Sequence, residues 1–501
     1  MVWGFHLPLV LLPLFLVAAA AYVPTEEDMG PMLPADVPRR DAIVGAFRHA
    51  LEGYRRWAWG HDEVRPVTNR TNDSWGGFGV VAWDALDTAV VMGQDDLADA
   101  LVELLSNTTF RRDWPAHVFE FTIRYLGSAV ASFQLRGRRD AGLLARASEL
   151  ASAMAPAFSE PHGLPRGSVN LATGHASVAG WLAGSAVLAE AGSIQLEFAA
   201  LSRELGDQTH NVRARRAFDA LLRKQRDDGL FPLFMNVETG EWRDQAVSTG
   251  ALGDSFYEIL LKLWLFDGRD PASPLLAAWN KAYHGLKTKL LKKSGKSGLW
   301  FFAEINNLGS VTNQMGHLSC HMPAVLALAF SAFGEEEYLT IAENVAATCW
   351  KLYEDSASGI GPETVEFFES GNEDYRVLNG KYILRPELIE SLFYLYRLTG
   401  KTMYRDQAWK IFESLERHCK VPTGYTGLRD VNQIDSHDDS QQSFFFAETL
   451  KYLYLVFADS SVLSLDQFIF TTEGHPLEIP PVVVEKTSAH EKEEVAEKDE
   501  L

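Results

Sequence analysis

The sequence predicts an all-α protein, a toroid of paired helices, and three observations carry that reading. Apolar residues recur at helical spacing from Arg40 to Pro476, with few strand-like interruptions. The helical stretches come in pairs, one more apolar than its neighbour, as an inner and an outer ring require. The stretch 381–396, KYILRPELIESLFYLY, is apolar almost all round. Pro386 suits a first helical turn, where its missing N–H costs nothing. Leu388, Ile389, Leu392, Phe393, Leu395 and Tyr396 then cover most of the cylinder. Glu387, Glu390, Ser391 and Tyr394 form its one polar stripe. Carboxylates on a buried helix face something wet, charged or catalytic, because dry cores do not hold unpaired charge. Taken alone, the two glutamates could equally serve the helix macrodipole, with Arg385 as partner.

In chain order, residues 7–21 form an apolar run too short to span a membrane comfortably and placed as a secretory signal would be, so 1–21 is expected to be a signal peptide. It lacks an early Lys or Arg, which leaves an uncleaved anchor as the alternative. Residues 22–39 read as a Pro-rich acidic leader. Residues 40–477 read as one large domain, with helical stretches at 41–57, 80–92, 95–105, 118–135, 141–158, 176–191, 194–205, 211–225, 251–266, 273–291, 317–333, 335–353, 386–398, 401–418 and 443–457. Strand-like signals at 230–235 and 299–304 sit in connectors. Residues 478–501 carry eight acids against three lysines and no periodicity, and read as a disordered tail. The tail ends Lys498-Asp499-Glu500-Leu501, an address read by the retrieval receptor of the endoplasmic reticulum lumen. Sequons at Asn69, Asn72 and Asn107 agree with a lumenal protein.

A net charge of −21 over 501 residues argues against nucleic acid or an anionic membrane as partner. Of three cysteines, Cys320, Cys349 and Cys419, two could pair across neighbouring helices, leaving one over. They make no zinc site, and a thiol-linked partner through Cys419 is a weaker possibility than a buried free thiol.

Acids recur in apolar settings elsewhere: Glu120 in VFEFTIRYLGSAV with Arg124 one turn on, Asp254 opening DSFYEILLKLW, Glu363 after Gly361-Pro362, Glu448 within SFFFAETLKYLYLVF, and Glu473 in FTTEGHP. Asp254 could be an N-cap alone. Together the acids suit glycoside hydrolysis, which needs one carboxyl to protonate the leaving oxygen and another to activate water or attack. They also suit a hard cation with oxygen ligands. The acidic loop 430–440 lacks EF-hand spacing and reads as solvated surface. No phosphate-cradling glycine loop and no nucleophile elbow occurs.

At these residues the sequence resembles glycoside hydrolase family 47, the class I α-1,2-mannosidases that trim N-linked glycans. The motifs run in order from about Arg40 to Pro476: FRHALEGYRRWAWGHDEVRPV, WDALDTAVVMG, VFEFTIRYLG, LGDSFYEILLK, HLSCHMP, GPETVEF, LRPELIESLFYLYRLTG, SFFFAETLKYLYLVF and FTTEGHP. The resemblance implies an (α/α)7 barrel and an inverting exo-α-1,2-mannosidase acting on high-mannose N-glycans in the endoplasmic reticulum. It implies Ca2+ at the barrel floor, bound by the oxygens of Thr472. It makes Glu120 the proton donor, Glu387 the water-activating base and Asp254 a second essential carboxylate. Acid and base of an inverting enzyme stand roughly 6.5–9.5 Å apart. Arg124, Leu252, His317, Glu363, Arg385, Glu390, Phe444, Glu448 and Glu473 match positions that line the substrate pocket or order calcium-bound water, and Cys320 and Cys349 match the family disulfide.

Three departures stand out. The usual Asn-Thr-Glu-Ala-His-Pro reads Thr471-Thr472-Glu473-Gly474-His475-Pro476, and His321 stands where an apolar residue is commoner. Leu252 occupies a position where reticulum enzymes that remove a single mannose tend to carry arginine; leucine lacks arginine's fixed polar fork, so broader trimming is expected. The alternative function is a mannose-binding lectin or adaptor of glycoprotein degradation.

Overall fold

The computed structural model describes residues 33–481. The signal segment, most of the leader and the Lys498–Leu501 address lie outside the described residues. Seven helices form an inner ring: Val80–Val91, Gly127–Leu135, Gln195–Leu205, Asp254–Phe266, Met322–Phe333, Glu387–Thr399 and Leu450–Phe457. Seven more lie outside them: Val37–Ala58, Asp95–Ser106, Ala141–Met154, Thr209–Leu222, Pro274–Gly285, Glu336–Glu354 and Thr402–His418. Each inner helix packs on the inner helices before and after it, and Leu450–Phe457 returns to Val80–Val91 to close the ring. The fold is the expected (α/α)7 barrel.

The pairing follows from composition. In Glu387–Thr399 every side chain from Glu387 to Arg397 is buried. In Thr402–His418, its outer partner, only the stripe Tyr404, Ala408, Ile411, Phe412 and Leu415 is buried. Gly400, at φ 69°, ends the inner helix in the left-handed conformation glycine adopts without a Cβ clash, which turns the chain back outward. A buried Leu or Phe contributes about 1.5–3 kcal/mol, so an inner helix carries enough apolar area to hold carboxylates as well.

The structure departs from expectation in four places. Residues 176–191 are mostly not helical: a short strand, a 3-10 turn Gly180–Leu182 and the strand Ser185–Val187 precede a five-residue helix, Leu188–Gly192. Ala183 and Gly184, at φ 48° and 78°, are left-handed and break the apolar period there. The first helix starts at Val37 inside the expected leader, because Asp36 caps it, accepting from Arg39 N at 3.3 Å. At the other end Glu478 pairs with Phe468 in an antiparallel hairpin, so the described fold runs past 477. Finally, two inner segments contain π-helical turns, Phe121–Leu126 and Phe445–Thr449.

That terminal hairpin, Phe468–Phe470 with Pro476–Glu478, is gripped by four inner helices. Lys262 donates to the Phe470 carbonyl at 2.8 Å, Lys451 to the Gly474 carbonyl at 2.6 Å, and Gln134 accepts from Glu478 N at 3.0 Å. His475 Nδ1 meets Asp87 at 2.9 Å, and Lys451 meets the same carboxylate at 2.7 Å, all fully buried. The turn Thr471–His475 is thereby fixed at the barrel floor.

Candidate active site

Around that floor the starts of two inner helices, the Val118–Leu126 segment and the hairpin turn enclose a cavity of about 340 Å³. Asp254 and Glu387 are the first residues of their helices, so both carboxylates leave the barrel wall where the loops open. The N-cap before Asp254 is Gly253, and Asp254 Oδ1 accepts from Ser255 N at 2.8 Å rather than capping the helix itself. Glu120 ends the helical turn Val118–Glu120. Its Oε2 accepts from Arg124 Nε at 2.8 Å.

Arg124 is buried and shared. Its guanidinium contacts Ser443 Oγ at 3.0 Å, Asp84 at 3.4 Å and Glu473, and lies over the Trp75 and Phe444 rings at 5.2 and 5.8 Å. The π turn at 121–126 shifts the helical register by one residue and carries Arg124; the second π turn carries Glu448.

Glu387 has a partner on each carboxylate oxygen. Oε2 is 2.7 Å from His317 Nδ1, and Oε1 is 3.3 Å from Arg385 Nη1. His317 Nε2 is 2.6 Å from the Tyr353 hydroxyl, while Glu363 takes both sides of the Arg385 fork at 2.7 and 2.5 Å. Burial pushes the Glu387 carboxyl up, but Arg385 and His317 outweigh it and hold it down to about 2. Asp254 goes the other way. Burial lifts it to about 6 despite the nearby His321. Glu390, Glu448 and Glu473 are pushed well above the usual range, first by burial and then by one another or by neighbouring carboxylates.

Eleven expected site residues line the cavity: Glu120, Arg124, Leu252, Asp254, Arg385, Glu387, Glu390, Phe444, Glu448, Thr472 and Glu473. His317 and Glu363 stand one step behind, acting on Glu387 directly and through Arg385. The sequence reading missed Glu190, whose carboxylate lies 3.5 Å from His117, and Glu258, paired with Lys262; Glu190, His117 and Glu258 all line the cavity. Leu252 holds φ 73°, a strained conformation for a bulky residue, and packs against the small apolar cluster of Leu182, Val187, Leu233, Phe234 and Ala246. Cys320 and Cys349 form a disulfide, and Cys419 is free and buried. Asn69 and Asn107 are exposed, whereas Asn72 is half-buried and donates to Glu63 and Ser74.

Thr472 bears on the expected cation. Its hydroxyl is buried at the cavity floor with no hydrogen-bond partner in the described structure. Among the described residues no group of three or more His, Cys, Asp or Glu side chains could hold a metal directly. The donor set that fits a hard cation here is therefore the threonine oxygens, with carboxylates available to order coordinated water.

The profile of glycosyl hydrolase family 47 matches residues 46–479. The chain belongs to this family. It is a glycoside hydrolase. Family 47 relatives include a mannosyl-oligosaccharide 1,2-α-mannosidase of Arabidopsis thaliana, 39% identical over 89% of this chain and 80% of the relative. The human endoplasmic reticulum mannosyl-oligosaccharide 1,2-α-mannosidase is 36% identical over 92% of this chain and 67% of its own length. The solved α-1,2-mannosidase of Trichoderma reesei superposes with a TM-score of 0.84 at 29% identity, covering 89% of this chain and all of that one.

Proposed function

We propose that the protein is a calcium-dependent exo-α-1,2-mannosidase that trims high-mannose N-glycans in the endoplasmic reticulum lumen. The observation that carries the chemistry is the electrostatic separation of two carboxyls in one cavity. Glu387 is held at about 2 and Asp254 at about 6, so near neutral pH one is fully ionised while the other still carries a proton part of the time. Glu387 takes a proton from the attacking water, with Arg385 and His317 orienting its two oxygens. Glu120, fixed by Arg124, protonates the leaving oxygen; Asp254 is the second group able to carry that proton. Inversion follows if water attacks from the side opposite the leaving group.

The orphaned Thr472 hydroxyl and the surrounding carboxylates fit Ca2+, which when bound supplies a positive centre that orients sugar hydroxyls. Glu390, Glu448 and Glu473 would then face positive charge in place of one another. Relatives named for 1,2-α-mannosidase activity on mannosyl-oligosaccharides support the substrate class. Relatives named for the endoplasmic reticulum and the Lys498–Leu501 sequence support the compartment. Leu252 supports trimming beyond a single mannose.

The test is a time course of mannose release from a free high-mannose oligosaccharide, with calcium and with a chelator. Calcium-dependent release that continues past the first mannose is expected. Glycan binding without release would overturn the enzyme reading in favour of a lectin.

A further inference from the structure

The 3-10 turn His317–His321 presents an imidazole at each end. His317 reaches Glu387, as described. His321, only 4% exposed, lines the cavity together with Asp254. Its Nε2–H donates to the Thr249 carbonyl at 3.3 Å. A carbonyl only accepts, so Nε2 carries the proton, and Nδ1 is left without a protein partner among the described residues.

Thr249 belongs to the loop that delivers Asp254. The loop is tight: Asp254 N donates to the Gly250 carbonyl at 2.8 Å, and Leu252 between them is left-handed. Such a conformation persists only where its surroundings hold it. The turn provides that hold twice, through His321 and through Ser319 Oγ, 3.2 Å from Thr249 Oγ1. The turn is itself anchored, by the Cys320–Cys349 disulfide and by Ser391 Oγ donating to the Cys320 carbonyl at 2.5 Å.

We propose that His321 is a positioning residue for Asp254 whose second nitrogen accepts a hydrogen bond from a hydroxyl of the bound mannoside. The assignment rests on the mannosidase reading. Nε2 pins the loop so that Asp254 projects into the cavity, and Nδ1 contacts the sugar. A side chain that differs from the apolar residue commoner at this position thus makes this pocket more polar beside Asp254.

Three variants separate the two nitrogens. His321→Gln keeps a donor near the Nε2 position and loses the Nδ1 acceptor, so kcat is retained and KM rises several-fold. His321→Asn keeps a polar atom near Nδ1 and loses the pin, so kcat falls. His321→Leu loses both; kcat falls roughly ten- to a hundred-fold, as small misplacements of a catalytic group do, and KM rises. The charged groups around Asp254, namely Glu258, Glu387 and Arg385, stay in place in every variant. His321→Leu within about two-fold of the parent in both constants, or His321→Gln as low in kcat as His321→Leu, would overturn the proposal. Near-UV circular dichroism of each variant reports the fold. A parent chain that releases no mannose sinks the mannosidase reading instead. Calorimetry with the disaccharide Manα1,2Man then decides the His321 contact: weaker binding by His321→Leu than by the parent supports it, and equal binding overturns it.

Discussion

The cavity has two sides built on opposite electrostatic plans. Around Glu387 the protein supplies its own partners: the Arg385 guanidinium and the His317 imidazole contact the carboxylate, and Glu363 fixes Arg385 from behind. Around Thr472 it does not. Glu390, Glu448 and Glu473 lie together; Lys262 is paired with Glu258, and Arg124, the cation that reaches Glu473, is shared with Glu120 and Asp84. The first side is complete as folded and keeps one carboxylate ionised. The second is short of positive charge, and its raised carboxyls can be neutralised by protons or by a bound divalent cation.

The largest expected effect breaks the first side. Glu387→Gln should lower kcat by about 10³-fold or more, since it removes the base and leaves Arg385 and His317 facing a neutral amide. Glu120→Gln and Asp254→Asn should fall as far. Initial rates of mannose release measure all three, and a variant retaining near-parental turnover would remove that residue from the mechanism.

Next in size is a test of the second side. Calcium should raise the melting temperature of the parent chain, by an amount corresponding to about 2.7 kcal/mol at a hundred times its dissociation constant. Thr472→Val removes the buried hydroxyl while keeping its shape, and should abolish both that rise and calcium-dependent turnover. Differential scanning calorimetry in calcium and in chelator reads this out. A Thr472→Val chain stabilised like the parent would show that the floor does not hold the ion.

How far the sequence revealed these two sides depended on the kind of signal. The Glu387 side was legible because an all-apolar helix with one polar stripe is visible in the spacing of Leu388, Ile389, Leu392 and Phe393, and Arg385 sits two residues away. The floor was visible only through resemblance: nothing in a threonine's sequence neighbours says that its hydroxyl is buried without a partner. Glu190 was lost because 176–191 looked like an amphipathic helix, whereas left-handed Ala183 and Gly184 turn that segment into strands that place Glu190 at the cavity wall. The π turns that aim Arg124 and Glu448 escape periodicity altogether, since one extra residue per turn leaves the apolar pattern nearly intact.

Glu387 and Asp254 should also respond to pH with opposite signs. Glu387 falls from its ordinary 4.5 to about 2 on folding, so the unfolded chain binds more protons there. Its contribution is fully present above pH 4.5 and is lost as pH drops toward 2. Asp254 rises from 3.8 to about 6, so the folded chain binds more protons and stability declines as pH rises between those values. Each shift corresponds to roughly 3 kcal/mol at most. Urea unfolding in chelator at several pH values measures this. Relative to the parent, Asp254→Asn should gain stability between pH 4 and 6, and Glu387→Gln should lose it progressively as pH rises from about 2 to 4.5 and stay lower above that. Parallel curves for the two variants would collapse the contrast.

The smallest expected effect lies at the Leu252 wall of the cavity. Leu252 presents the cavity with an apolar surface backed by Leu182, Val187 and Phe234, which has no donor that could fix one glycan branch. Leu252→Arg adds a rigid five-donor fork that can hold one arrangement of hydroxyls and reject others. Its backbone already tolerates a bulky side chain at φ 73°, so stability should change by no more than about 1 kcal/mol. What should change is the product ladder: the variant stops earlier than the parent on the same oligosaccharide, as mass spectrometry of the glycans would show. An unchanged ladder would mean that branch selection is set elsewhere along the rim, and that Leu252 serves mainly to cover the apolar cluster behind it.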